Sequence, residues 1–172
     1  MNIFLIGPSG AGKSTVGQEL ALLLNKPFYD SDKVIEERAG VSISWIFDFE
    51  GEDGFRKRET KALEDLCKQN GIVLATGGGA ILETANRQLL SQQGLVIYLQ
   101  ATVNQQLDRI HRKEHRPLLK VNNVEERLWE MRHARLAFYE EIAEIAFDTD
   151  GQTVKQVVKD ILTYLEKSYG NL

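Results

Sequence analysis

Residues 1–24 read MNIFLIGPSGAGKSTVGQELALLL, and the order of events within that stretch decides the fold. A short apolar run, residues 2 to 6, gives way to a glycine-rich turn, the pattern of a buried parallel strand. From Lys13 to about Leu24 the period changes, and Val16, Leu20, Leu23 and Leu24 fall on one face of a helix. Strand, glycine turn, helix is the opening of an α/β unit.

The turn itself carries chemistry. Gly7, Gly12, Lys13 and Ser14 fit the pattern G-x-x-x-x-G-K-[ST], in which glycines let backbone N–H groups curl around phosphate oxygens. The start of the following helix adds its positive end. At ordinary residue frequencies a chance match in a chain of this size is below about 1%, and the flanks supply the required strand and helix. Gly10, Ala11, Gly12, Lys13, Ser14 and Thr15 are therefore the candidate nucleotide contacts. Lys13 would reach the outer phosphates, and the Ser14 hydroxyl would ligate magnesium.

Further along, the alternation continues. Phe28 and Tyr29 lead into Asp30 as a second strand. Lys33 to Arg38 reads as a short helix closed by Gly40, and Ser42 as the cap of another, with Ile43, Ile46 and Phe47. Phe55 to Lys68 reads as a longer helix ended by Asn70-Gly71. Strands follow at Ile72–Ala75, Leu95–Leu99 and Ile145–Phe147, and helices at about 103–110, 124–143 and 153–165. Such alternation, with connections long enough for crossovers, predicts a three-layer α/β/α domain around a five-stranded parallel sheet. The segment 111–123, HRKEHRPLLKVNN, is basic, interrupted by Pro117 and without strong periodicity. No internal repeat or second-domain boundary is evident, so 1–172 reads as a single domain.

Composition narrows the function. The chain has 172 residues, 42% of them apolar and 27% charged, with a formal net charge of −4. That charge argues against a nonspecific nucleic-acid binder, whose backbone contacts need a basic surface. Cys67 is the only cysteine, which rules out an intrachain disulfide and a cysteine zinc cluster and points to a reducing compartment. No run reaches 18 apolar residues, and the apolar opening lacks the features of a signal peptide. The expectation is a cytoplasmic protein acting on small molecules, with neither membrane nor nucleic acid as partner.

Which nucleotide chemistry follows from what is missing and what remains. A GTPase would need Asn-Lys-x-Asp, and the chain offers only Asn25-Lys26-Pro27-Phe28; the strand IVLAT lacks the acid of many ATPases. Instead an acid ends the second strand, as Asp30. In a parallel sheet the strand C-termini form the ligand edge, which gathers DSD (30–32), GFRKRE (54–59) and GGG (77–79) beside the phosphate loop. Asp30 and Asp32 can divide the work, one near magnesium and one toward an acceptor hydroxyl; alternatively Asp32 is a helix cap. Arg56 is a fork for a carboxylate or, alternatively, an exposed helical arginine paired with Glu59. Three glycines after a buried strand are costly to order, so something must approach that backbone closely, a small substrate being the simplest candidate.

Taken together, GPSGAGKSTVG, FYDSDKVIE, SISWIFDFEGEDGFRKRE, VLATGGGAI, RPLL, RLAFYEEIA and FDTD resemble the shikimate kinase family, small phosphate-loop kinases of the nucleoside-monophosphate-kinase-like fold. The pieces lie within residues 5 to 150, in family order and spacing. The resemblance implies ATP-dependent phosphorylation of the shikimate 3-hydroxyl, with Mg2+, on the route to chorismate and the aromatic amino acids. It implies that Lys13, Asp32 and Arg116 are catalytic, Asp32 assisting deprotonation of the acceptor. Asp32, Arg56, Gly78, Gly79 and Arg135 would bind shikimate, Arg56 and Arg135 through its carboxylate. Ser14, and Asp30 through water, would hold the metal. Arg109 would lie near the adenine, and Arg116 within a mobile lid at about 111–123 would close over ATP. A monomer is expected. His111 and His115 are read as lid residues, not as metal ligands. Trp45, where proline is frequent, and Ala137-Phe138, where Pro-Leu is frequent, depart from the pattern without removing a charge.

Other readings stay open at this point. Gluconate kinases of the same fold also take a carboxylated polyol, and the combination of DSD, GFRKRE and GGG is what favours shikimate. A nucleoside monophosphate kinase would need a base-binding set that is not evident. A nucleotide-binding partner module would be expected to have lost an acid or arginine that this chain keeps.

Overall fold

The computed structural model describes residues 1–111 and 123–170. Ile3–Ile6 forms β1, and all four side chains are fully buried. Side chains alternate across a strand, so Ile3 and Leu5 serve one face of the sheet while Phe4 and Ile6 serve the other. The elements then run α1 (Lys13–Leu23), β2 (Phe28–Asp30), α2 (Ser31–Ala39), α3 (Ile43–Cys67) and β3 (Val73–Ala75). They continue with α4 (Thr84–Gln93), β4 (Leu95–Gln100), α5 (Val103–His111), α6 (Val124–Ile142), β5 (Ile145–Asp148) and α7 (Val154–Tyr169).

Among the described residues the five strands form one sheet, ordered β2-β3-β1-β4-β5, with every neighbouring pair parallel. The order reverses about β1. This is the three-layer α/β/α arrangement that the alternation predicts. On the Ile3/Leu5 face, α1 and α7 pack through Val16, Leu20, Val157, Ile161 and Leu165. On the other face α3, α4 and α6 contribute Leu63, Leu66, Leu90 and Tyr139. A smaller cluster of Ile35, Ile46, Phe55 and Ala62 joins α2 to α3. Because β1 is wedged between the two larger clusters, Phe4→Ala there would cost about 3–5 kcal/mol.

The two helices expected around Ile46 and after Phe55 are both present, joined in α3 across a kink at Gly51, whose φ of 70° and ψ of −177° no helical residue adopts. Three local expectations are revised. The first helix buries Val16 and Leu20 as expected, but Leu23 turns to solvent and Ala21 takes the inward place. The helix after β2 begins earlier than expected, at Ser31, because the Asp30 carboxylate caps it, and it ends on left-handed Gly40 as read. Helix α4 was not anticipated. Its inward residues are Asn86, Arg87 and Leu90, so a buried face that is two-thirds polar leaves too little apolar periodicity to read. Asn86 donates to the Ala80 carbonyl at 3.0 Å and Arg87 to the Ile81 carbonyl at 2.8 Å, and that is what these polar groups are buried for.

Candidate active site

The phosphate loop leaves the C-terminal end of β1, in the middle of the sheet. Gly7 has φ 143°, and a side chain there would strike the carbonyl oxygen of Leu99 in β4; glycine is required on both counts. Gly12, with φ 89°, caps α1 in the left-handed region. Lys13 is 8% exposed, and its ammonium donates to the Gly7 and Pro8 carbonyls, each at 2.8 Å. The Ser14 hydroxyl donates to Asp30 Oδ2 at 2.5 Å. The other Asp30 oxygen accepts from the N–H groups of Asp32 and Lys33, at 3.0 and 3.3 Å. So Asp30, not Asp32, is the cap, and it ties the start of α2 to the hydroxyl of the phosphate loop.

A cleft of about 390 Å³ opens between this loop and the ends of β2 and β3. Gly10, Gly12, Lys13, Ser14 and Thr15 line it from the loop, Asp30 and Asp32 from β2 and α2, and Gly77 and Gly78 from beyond β3. Ala11 is buried in the core instead. Arg109 reaches the cleft from α5, and its guanidinium donates to the Gly10 carbonyl.

Opposite the loop, charged side chains are buried where only a purpose repays it. Asp32 Oδ1 is buried with no hydrogen-bond partner among the described residues. Burial, then the neighbouring Asp30 carboxylate, push the Asp32 carboxyl up to about 6 against the pull of Lys13. Glu59 in α3 is fully buried; one oxygen accepts from Arg56 at 2.7 Å and the other has no partner among the described residues. Its carboxyl is likewise raised, first by burial. Arg56 presents Nη1 to Glu59, while its Nε and Nη2 edge donates to the exposed Glu52 carboxylate at 3.3 and 3.1 Å. The exposed-arginine alternative fails, since the Arg56 side chain is only 11% exposed, although the pairing with Glu59 is present.

The glycine run is explained by this chain's own side chains. A Cβ on Gly79 would sit inside the Arg56 guanidinium, and one on Gly77 would lie 2.8 Å from both Asp32 Oδ1 and Glu59 Oε1. A Cβ on Gly78 would lie 3.2 Å from the Ser9 nitrogen and 3.6 Å from Arg135 Nη1. The backbone is pinned as well: Gly77 N–H donates to the buried Ser31 hydroxyl at 2.9 Å, and the Tyr139 hydroxyl donates to the Gly78 carbonyl at 2.5 Å. Arg135 and Tyr139, one turn apart on α6, thus arrive at the same glycine.

The sequence-selected residues of the loop, Asp30, Asp32, Arg56, Gly78, Gly79, Arg109 and Arg135 therefore converge on one edge of the sheet. Arg116 and most of the 111–123 segment lie outside the described residues; His111 ends α5, and the Asn123 side chain caps α6. Sequence reasoning gave Glu59 no role beyond pairing with Arg56, and missed Ser31 and Gln106. The spacing of Arg56 and Glu59 was visible, but nothing in a helical Glu announces full burial. Trp45 lies outside the cleft, 42% exposed and stacked on Phe49 at 4.2 Å, and Phe138 packs under the Arg87 guanidinium. Neither departure touches the site.

Among the described residues no helix is long and apolar enough to cross a membrane, and no three His, Cys, Asp or Glu side chains cluster to hold a metal. The model of the family described as shikimate kinase matches residues 9–166. A shikimate kinase of Legionella pneumophila (strain Corby) is 54% identical over 164 residues, covering 95% of this chain and 94% of that one. Among solved structures, shikimate kinase from Acinetobacter baumannii in complex with shikimate superposes with a TM-score of 0.94 at 45% identity, over 98% of this chain and 94% of that one. A gluconokinase from Sinorhizobium meliloti shares the fold alone, at 19% identity, TM-score 0.62 and coverage of 96% and 91%. The chain belongs to the shikimate kinase family.

Proposed function

We propose that this chain transfers the γ-phosphoryl group of ATP to the 3-hydroxyl of shikimate, giving shikimate 3-phosphate and ADP, and that the cleft between the phosphate loop and Asp32 is where it does so. The observation that carries the reading is the placement of the Asp32 carboxyl in the same cleft as Lys13 and Ser14. A carboxylate whose buried Oδ1 has no hydrogen-bond partner among the described residues suits an acceptor hydroxyl. With Asp32 raised to about 6, it is mostly ionised at neutral pH and can still take up a proton as the hydroxyl attacks.

The residues divide into two groups. On the donor side, the loop N–H groups and the N-terminus of α1 hold phosphate oxygens, and Lys13 leaves its carbonyl partners to meet the outer phosphates. Arg109 holds the nucleotide beside the loop. Arg116, in the basic 111–123 segment, adds positive charge for the transferring phosphoryl group. Ser14 and Asp30 fit Mg2+, which takes few protein ligands and keeps waters and phosphate oxygens. Bound there, Mg2+ would neutralise charge developing on the phosphates.

On the acceptor side, Arg56 and Arg135 grip the shikimate carboxylate, and Asp32 orients the hydroxyl. Gly78 and Gly79 let the ring lie close to the backbone. Glu59 holds one edge of the Arg56 fork; Glu52 occupies the other until a substrate carboxylate takes its place. The chain acts as a monomer on small molecules. ADP release from Mg-ATP, measured separately with shikimate, gluconate and a panel of nucleoside monophosphates, tests the reading. Turnover with shikimate alone is expected; turnover with gluconate or a nucleotide instead would keep the phosphate loop and overturn the acceptor assignment.

A further inference from the structure

Helix α5 flanks the phosphate loop, and two adjacent amide side chains, Gln105 and Gln106, tie it to the sheet and to the loop. Gln105 donates to the Thr149 carbonyl at 2.8 Å, and Thr149 in turn donates to the Gln100 carbonyl at 2.7 Å, so α5 is tied to the ends of β4 and β5. The next residue points elsewhere. Gln106 is 4% exposed, and its Nε2 donates to the Ser9 carbonyl of the phosphate loop at 2.8 Å. One turn later Arg109 donates to the next carbonyl, that of Gly10. Two consecutive carbonyls of the loop are therefore held from outside by one helix.

A trans peptide carries its C=O and its N–H in opposite directions. Fixing the Ser9 oxygen on Gln106 thus fixes the Gly10 N–H on the far side of the same peptide plane. Glycine needs this most. Gly10 sits at φ 86°, where it has no side chain to restrain rotation of its flanking peptides. A loop whose ligand-binding groups are backbone N–H groups loses affinity whenever one of those planes turns over.

We propose that Gln106 is a positioning residue for nucleotide binding: by holding the Ser9 carbonyl it keeps the Gly10 N–H turned toward the bound phosphates. It touches neither substrate. It acts through the loop, from a helix braced against the sheet. The proposal rests on the loop being the ATP site, so its test reads nucleotide binding directly as well as turnover.

Gln106→Met keeps the length of the side chain and removes the donor; Gln106→Glu keeps the shape and sets a carboxylate against the carbonyl. In Gln106→Met, binding of Mg-ADP measured by titration calorimetry is expected to weaken by about tenfold, the loss of one oriented hydrogen bond to a charged group. KM for ATP is expected to rise by a similar factor, with KM for shikimate within about twofold and the melting temperature nearly unchanged. Gln106→Glu should lose more, and it serves as the test if the Met variant does not fold. ADP affinity within twofold of wild type in a folded variant would overturn the proposal. So would a fall in melting temperature with both KM values moving together, which is the mark of a packing role. If wild type turned over no shikimate while Gln106→Met still bound ADP more weakly, the acceptor assignment would fall and this inference would stand.

Discussion

The phosphate loop and the acceptor pocket lie side by side at the same edge of the sheet, yet they are made differently. The loop is a run of consecutive residues, 7–15, and what it offers a ligand is mostly backbone, with Lys13 and Ser14 as its working side chains. The pocket draws Asp32 from α2, Arg56 and Glu59 from α3, the glycines after β3, and Arg135 and Tyr139 from α6. It offers side chains, several of them charged and buried. A main-chain site needs local geometry that glycines supply, whereas a side-chain site needs the tertiary fold to hold charges out of water. The loop should therefore tolerate changes in the pocket, and the pocket should fail one function at a time.

The largest effect should come from Asp32→Asn. Turnover is expected to fall by about 10²- to 10⁴-fold, with Mg-ADP affinity unchanged. Wild-type-like turnover would break the assignment, and lost ADP binding would break the independence of the two halves. Next comes Arg56→Lys, which keeps the charge but loses the fork that Glu59 holds in place. KM for shikimate should rise by about 10- to 100-fold while KM for ATP stays put; an unchanged KM for shikimate would remove Arg56 from the carboxylate site.

A third effect is on stability rather than activity. Asp32 is raised from 3.8 to about 6, so ionising it works against the folded state as pH rises from about 4 through 6, and the penalty is constant above that. Asp32→Asn should therefore melt higher than wild type at pH 8, by about 3 kcal/mol or several degrees, and lose that advantage below pH 4. An equal difference at both pH values would deny the shifted carboxyl. The smallest effect belongs to Glu52→Gln. Removing the exposed carboxylate from the outer edge of Arg56 should lower KM for shikimate by about two- to threefold, in keeping with the weakness of exposed ion pairs. A raised KM would mean that Glu52 positions the fork instead of competing for it.

The same contrast governs how much could be read before the structure. The five strands, the parallel order of their connections and the loop from Gly7 to Thr15 were legible because each is written in adjacent residues: an apolar run, a glycine spacing, a change of period. Asp30, Asp32 and Arg56 were legible as candidates, but their division of labour was not. Only the tertiary arrangement shows that Asp30 caps α2 and receives Ser14, leaving Asp32 Oδ1 without a hydrogen-bond partner among the described residues. Helix α4 was missed because Asn86 and Arg87 are buried to hold carbonyls of the turn after the glycines. Gln106 was passed over because a buried glutamine on a helix looks like any surface glutamine until its carbonyl partner, 97 positions away in sequence, is known.

The central place of β1 has a consequence for how the protein is made. Its partners are residues 73–75 and 95–98, so the first strand to be synthesised is unpaired on one side until β3 exists and on the other until β4 does. At about 5–20 residues per second of synthesis, that wait is roughly 5–20 seconds. For that interval Ile3, Phe4, Leu5 and Ile6, which end with no exposure at all, are an open apolar edge on a growing chain. Parallel pairing of distant segments is slow to form and exposed to aggregation meanwhile. The strand that carries the phosphate loop to the centre of the sheet is thus the one that waits longest for its neighbours.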